Sequence, residues 1–144
     1  MMRPNPVVVT PPTQEPITIA DAKRQCRIAA TLPDFDAELA SLIQAVRVEA
    51  ELYLNRALLT QTLRVLFDDW ADVFWLPRAA PLQSVSSVTY YDAGGVQQTL
   101  ATSYYLVDTD TEPGRVLRAP NQAWPALQSD RRGGIAITYM AGRT

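Results

Sequence analysis

The side chains in this sequence whose types and spacing could do chemistry are few, and they gather in three places. Asp68, Asp69 and Asp72 form one carboxylate cluster, which could hold a divalent cation or pass a proton. Asp108, Asp110 and Glu112 alternate with threonines like a fragment of a calcium loop, but the glycine and the distant bidentate acid of such loops are missing. Nothing beside either cluster supplies a nucleophile or an electrophile, so both read as solvated turns. Arg131-Arg132-Gly133-Gly134 joins two guanidinium groups to a backbone that can approach closely. That arrangement suits phosphate, as in a DNA-facing loop, or the carboxylates of a partner; its plainest reading is a loop before the last strand.

There is no histidine in the chain. Ser-His-Asp and Cys-His nucleophile systems and His-bearing zinc sites are therefore impossible. The single cysteine, Cys26, cannot close an internal disulfide and is expected as a small buried apolar residue. No catalytic residue, metal site or cofactor is expected, and the chain does not read as an enzyme.

A net charge of -2 over 144 residues argues against non-specific grip on DNA or on an anionic membrane, because such binding rests on surplus Lys and Arg that release counterions. The opening MMRPNPVVV is broken by prolines and is too short to be a signal or a membrane span. A soluble intracellular protein with no membrane partner is expected.

The elements that must position these residues divide the chain into three. Residues 1–17 carry Pro4, Pro6, Pro11, Pro12 and Pro16 around Val7, Val8 and Val9, which forbids helix and predicts an extended arm. It either adds to a neighbour's sheet or folds back on its own domain. Residues 18–58 read as an antiparallel helical hairpin. Thr18 with Asp21 three residues on predicts a reciprocal cap for a helix running to about Ala30, with Lys23, Arg24 and Arg27 on its outer face. Asp34 is expected to cap a second, longer helix over Phe35–Arg56. Phe35, Leu39, Leu42, Ile43, Val46, Ala50, Tyr53 and Leu54 form its apolar face toward a core. A second stripe of smaller residues, Ala37, Ser41, Ala45, Val48 and Leu52, lies round the helix and predicts a second partner, which could be the chain's own β-domain or another copy.

From residue 59 to 144 the periodicity drops to two, predicting a small, mainly antiparallel β-domain packed on the hairpin. Leu63–Phe67 and Val73–Leu76 read as one hairpin, Val85 is out of phase and implies a bulge near Ser86, and Asp92-Ala93-Gly94-Gly95 reads as a turn. Trp75 or Trp124 is expected near the helix–sheet junction, since large aromatics bury most where layers meet. The fold class is α+β.

In order along the chain stand EPITIADAKRQCRI (Glu15–Ile28), DFDAEL (Asp34–Leu39), VEAELYLNRALLTQT (Val48–Thr62), LPRAAPLQSVSSVTYYDAGG (Leu76–Gly95), SYYLVD (Ser103–Asp108), Trp124-Pro125 and ITYMAG (Ile137–Gly142). This series resembles the head-tail connector, or adaptor, family of long-tailed phages, prophages and gene transfer agents. The resemblance implies a non-enzymatic virion protein of the portal vertex, present in the host cytoplasm before assembly. Its copies would form a ring beneath the portal protein, of about twelve copies to match the portal. A tail-side stopper or neck protein would bind below, and DNA would pass through the channel without sequence-specific contact. It carries no catalytic residues over. Similar proteins usually continue past the final Ala-Gly into C-terminal helices, and this sequence departs from them in ending at Thr144.

On the residues alone, the helical stripe Ala37, Ser41, Ala45, Val48 and Leu52 and the arm valines Val7, Val8 and Val9 are the expected subunit contacts. If DNA transits the ring freely, its lumen should be acidic or mixed. The competing reading is a small β-rich binding module that uses Tyr90, Tyr91, Tyr104, Tyr105 and Trp124 as a stacking platform for single-stranded nucleic acid or carbohydrate. Against it, one tyrosine of each pair must face the core, and no basic groove accompanies them.

Overall fold

Prolines keep the N-terminal segment out of helix, and Val7–Thr10 forms strand β1. The computed structural model describes residues 4–144. β1 pairs antiparallel with β2 (Gln61–Phe67), Val7 opposite Arg64 and Val8 opposite Leu63. In the single chain the segment is thus folded back on its own sheet as an edge strand. Buried Arg78 helps hold it there, its Nη2 donating to the Pro6 carbonyl at 3.1 Å.

Helix α1 (Ile19–Gln25) starts on the expected reciprocal cap: the Asp21 amide donates to Thr18 Oγ1 at 3.1 Å and the Thr18 amide to Asp21 Oδ2 at 3.2 Å. It ends five residues before Ala30, and Arg27 takes a left-handed conformation, φ 57°. Cys26 is therefore past the helix and exposed, not packed. Lys23 also departs from expectation. It is buried, its ammonium donating to the Leu32 carbonyl at 2.8 Å and pairing with Asp36 at 2.5 Å, so it ties down the interhelical loop and does not belong to a basic outer face.

Helix α2 (Asp36–Leu54) packs against α1. Its N-cap is Phe35, without a side-chain cap bond, and not Asp34; Asp36 supplies the negative charge that the first turn favours. Asn55 closes it in the left-handed conformation, φ 50°. The buried stripe is Leu39, Ile43, Arg47 and Glu51, a strict i, i+4 row. Of the expected core face, Leu42, Val46, Tyr53 and Leu54 are more than half exposed, and Phe35 is exposed as well.

A polar seam accounts for the difference. Arg47 Nε donates to Glu15 Oε2 at 2.6 Å and its Nη1 to Glu51 Oε2 at 3.2 Å, while Glu51 Oε1 accepts from the Leu58 amide at 2.9 Å and from Gln61 Nε2 at 2.7 Å. Buried charge is tolerable when it is paired and hydrogen-bonded, and here it fastens α2 to the segment before α1 and to the start of β2. Among the described residues neither helix packs broadly on the strands. The hairpin is thus attached by this seam and by Arg56, which pairs with Glu112 at 2.9 Å and donates to the Ala80 carbonyl, and it does not lie across the sheet. Neither tryptophan forms the expected junction: Trp75 is half exposed, and Trp124 stacks on Trp70 at 4.6 Å against the β-domain core.

The remaining strands are β3 (Val73–Trp75), β4 (Leu82–Tyr91), β5 (Gln97–Thr99), β6 (Tyr105–Asp108), β7 (Arg115–Arg118) and β8 (Ile135–Ala141). They build a five-stranded sheet in the order β1-β2-β8-β4-β5 and a three-stranded sheet β3-β7-β6, both antiparallel throughout. The expected β2–β3 hairpin does not form, because β2 pairs with β1 and β8 while β3 crosses to the second sheet. Leu63 and Val65 of β2, Ile135, Ile137 and Tyr139 of β8, Val88, Phe74 and Val116 alternate inward to make the core. The bulge between Val85 and Ser87 and the turn at Asp92–Gly95 stand where the sequence places them. Gly142, at φ 107°, passes so close to the Leu59 backbone that a Cβ there would overlap it.

Candidate functional site

The carboxylates do structural work. Asp72 pairs with Arg118 at 2.9 Å, and Asp68 Oδ1 accepts from the Gly133 amide at 2.6 Å. Asp108 accepts from Arg115 Nε at 2.7 Å and from the amides of Asp110 and Thr111, closing the turn into β7. The Arg115 guanidinium holds its carboxyl below the usual carboxylate range, with the turn amides adding to the effect. Among the described residues no group of three or more metal-ligating side chains converges.

The aromatic residues do not share one platform. Tyr105 is buried, Tyr90 and Tyr104 pack against the core cluster, and Trp124 is stacked on Trp70 with its indole N–H donating to the Ala71 carbonyl. Tyr91 meets a cation, the Arg131 guanidinium lying 3.4 Å from its ring centre.

Arg131 and Arg132 stand in the loop that leads into β8, between two clefts. On one side the loop meets Asp68, Asp69 and Asp130. On the other it edges a groove of about 300 Å³ on the outer face of the five-stranded sheet, shared with Arg64 and Leu66. Arg64 is a residue that sequence reasoning missed. Its sign was available in the alternation of β2, which turns Leu63 and Val65 inward and Arg64 and Leu66 outward.

The predicted contact residues lie on the surface. Ala37, Ser41, Ala45, Val48 and Leu52 are all exposed along α2, and Val7, Val8 and Val9 are exposed on the edge strand, so the two sets belong to different elements. Beyond them, Leu42, Val46 and Tyr53 leave a second apolar side of α2 open, separated from the first by Glu38 and Glu49. On the small sheet Trp75 and Leu106 are exposed, Leu106 opposite Leu117 and Trp75 opposite Arg115, which stacks over it at 5.2 Å.

No family model matches the chain, and no curated protein does. Solved structures do. A chain in the neck of an empty gene transfer agent particle, computed with C6 symmetry, is 25% identical, aligns over 98% of this chain and 71% of its own length, and superposes with a TM-score of 0.72. A chain in the virion of a native gene transfer agent particle is 24% identical over 95% of this chain and 71% of that one, TM-score 0.68. A chain in the neck of the native particle, computed with C12 symmetry, is 25% identical over 98% and 70%, TM-score 0.63. The chain has the fold of these chains from the neck and virion of gene transfer agent particles, consistent with its resemblance to the head-tail connectors of phages and gene transfer agents.

Proposed function

We propose that this chain is a structural neck protein of a virion, an adaptor whose copies close a ring beneath the portal, join capsid to tail and leave a channel for DNA. One observation carries the reading: nearly the whole chain follows the fold of neck proteins in particles computed with sixfold and twelvefold symmetry. The surface of α2 agrees with it. Its exposed stripe of Ala37, Ser41, Ala45, Val48 and Leu52 would meet the neighbouring copy, and the edge valines Val7, Val8 and Val9 offer a further contact.

The energetics favour more than one contact per neighbour. Val48, Leu52, Leu42 and Val46 are already about half buried, so covering the rest would gain roughly 1–1.5 kcal/mol each, against an association cost of about 4–15 kcal/mol. A ring that closes by identical contacts also requires each copy to present two different, complementary surfaces. The partners of this reading are further copies of the chain, the portal protein above, a tail-side stopper below, and DNA passing without sequence-specific contact through a lumen of acidic or mixed charge. A ring map with Arg24, Arg27, Arg131 and Arg132 all lining an unbalanced basic lumen would contradict the last point.

The test is size-exclusion chromatography with light scattering, on the protein alone and mixed with its portal. The adaptor reading expects a ring mass, or co-elution with the portal. A monomer that ignores the portal at every ratio would contradict it.

A further inference from the structure

The alternation of β2 turns Arg64 and Leu66 onto the outer face of the five-stranded sheet, where Thr138 and Ala136 of β8 stand opposite them. The loop before β8 closes over this face: Gly133, at φ 61°, lies so near Leu66 that a Cβ would come within 3.3 Å of it, and Arg131 is laid on the Tyr91 ring. The result is the groove edged by Arg64, Arg131 and Arg132, with Leu66 and Ala136 beside Thr89, Tyr91 and Gln97 in its lining and no carboxylate among its lining residues. None of the three arginines has an ion-pair partner among the described residues.

The same chain carries the opposite surface. The only basic residue of α2, Arg47, is buried with Glu15 and Glu51, so the exposed part of the helix presents carboxylates and no cation. Glu38 and Glu49 stand eleven residues apart, close to three full turns, and so share one ridge about 16 Å long. Neither is in an ion pair among the described residues. Leu42 and Val46 flank the ridge on one side, Val48 and Leu52 on the other. The groove crosses β2, β8, β4 and β5, three strand spacings or about 14 Å. An acidic ridge therefore matches a basic-rimmed groove of mixed lining in sign and length.

We propose that the groove of Arg64, Arg131 and Arg132 receives the Glu38–Glu49 ridge of α2 from the next copy of this chain. The proposal rests on the ring reading above and supplies the second surface that the α2 stripe requires. Because ridge and groove are different surfaces, the contact is head-to-tail and propagates around a closed ring. DNA phosphate is the weaker occupant. Asp68, Asp69 and Asp130 lie across the same loop and would face the duplex beside three arginines, in a chain of net charge -2.

The test is charge reversal on the full chain, read by light scattering with circular dichroism to confirm folding. Arg64→Glu with Arg132→Glu, and separately Glu38→Arg with Glu49→Arg, should each raise the concentration of half-assembly by more than about tenfold, since like charges then meet at every contact. The four substitutions together should restore assembly. Wild-type assembly by either two-site variant would overturn the proposal, as would four-site protein that folds but stays dissociated. As an independent readout, Glu49→Cys with Arg132→Cys on a Cys26→Ser background should give an oxidised ladder of linked copies, and the absence of a ladder from assembled protein would also overturn it. If the Arg64 and Arg132 variant assembles normally but loses fluorescence-anisotropy binding to a short DNA duplex, the groove is a nucleic-acid contact instead. Failure of the wild-type chain to assemble at all, with portal or without, would remove the ring reading itself, and this pairing with it.

Discussion

Glu51 accepts hydrogen bonds from the Arg47 guanidinium, the Leu58 amide and the Gln61 side chain while almost wholly buried. Its removal orphans donors on α2 and on the approach to β2 at once. Glu51→Ala should therefore cost roughly 3–5 kcal/mol, the range for breaking a buried pair, read as a lower urea midpoint by circular dichroism. A cost under about 1 kcal/mol, the level of an exposed pair, would show that the seam does not hold the hairpin. Asp108 provides a pH signature. Its folded pKa is depressed, chiefly by Arg115, so its contribution is present above the ordinary carboxylate pKa of about 4 and is lost as the pH falls through the folded value. Asp108→Asn should flatten the fall in stability on acidification below that point; an unchanged slope in acid titrations of unfolding would contradict this.

The α2 helix was legible as a helix from its spacing, but not in the direction it faces. Counting apolar residues leaves Arg47 and Glu51 off the core face, whereas their mutual pairing at i, i+4 puts them in the seam. Val46, read as core, is exposed, and Leu39 and Ile43 alone keep the role assigned to that face. The strands fared better: β2, β3, the Val85 bulge and the Asp92 turn follow directly from alternation and turn chemistry. Their pairing does not, because β2 and β3 each find partners far along the chain that no local pattern names. Ala37, Ser41, Ala45, Val48 and Leu52 were found as a stripe, and their exposure makes a sharp test. Val48→Asp with Leu52→Asp should leave folding within about 0.5 kcal/mol per site, as surface changes do, while preventing assembly. Leu39→Asp or Ile43→Asp should instead unfold the hairpin. Circular dichroism beside light scattering separates the outcomes, and unfolding of the Val48 and Leu52 variant would remove α2 from the contact.

At the scale of the whole molecule, Asp68, Asp72 and Asp108 are held in turns and ion pairs, and the exposed apolar and charged surfaces are the chain's distinctive features. Of those surfaces the sequence disclosed the α2 stripe, the arm and the Arg131-Arg132 loop. It hid the groove, because Arg64 and Arg132 are brought together only by the β2–β8 pairing. The helical hairpin, joined to the β-domain by this seam and by Arg56, leaves the outer side of α2 exposed for a neighbour. The central claim is that copies of this chain close a ring at the portal. Electron-microscopy class averages of the chain mixed with its portal test it most directly. The account predicts a second ring of density beneath the portal, rotationally symmetric about the same axis, with the hairpins at the contacts between copies. Portal particles without added density at saturating chain, or with the chain bound as isolated monomers, would contradict it.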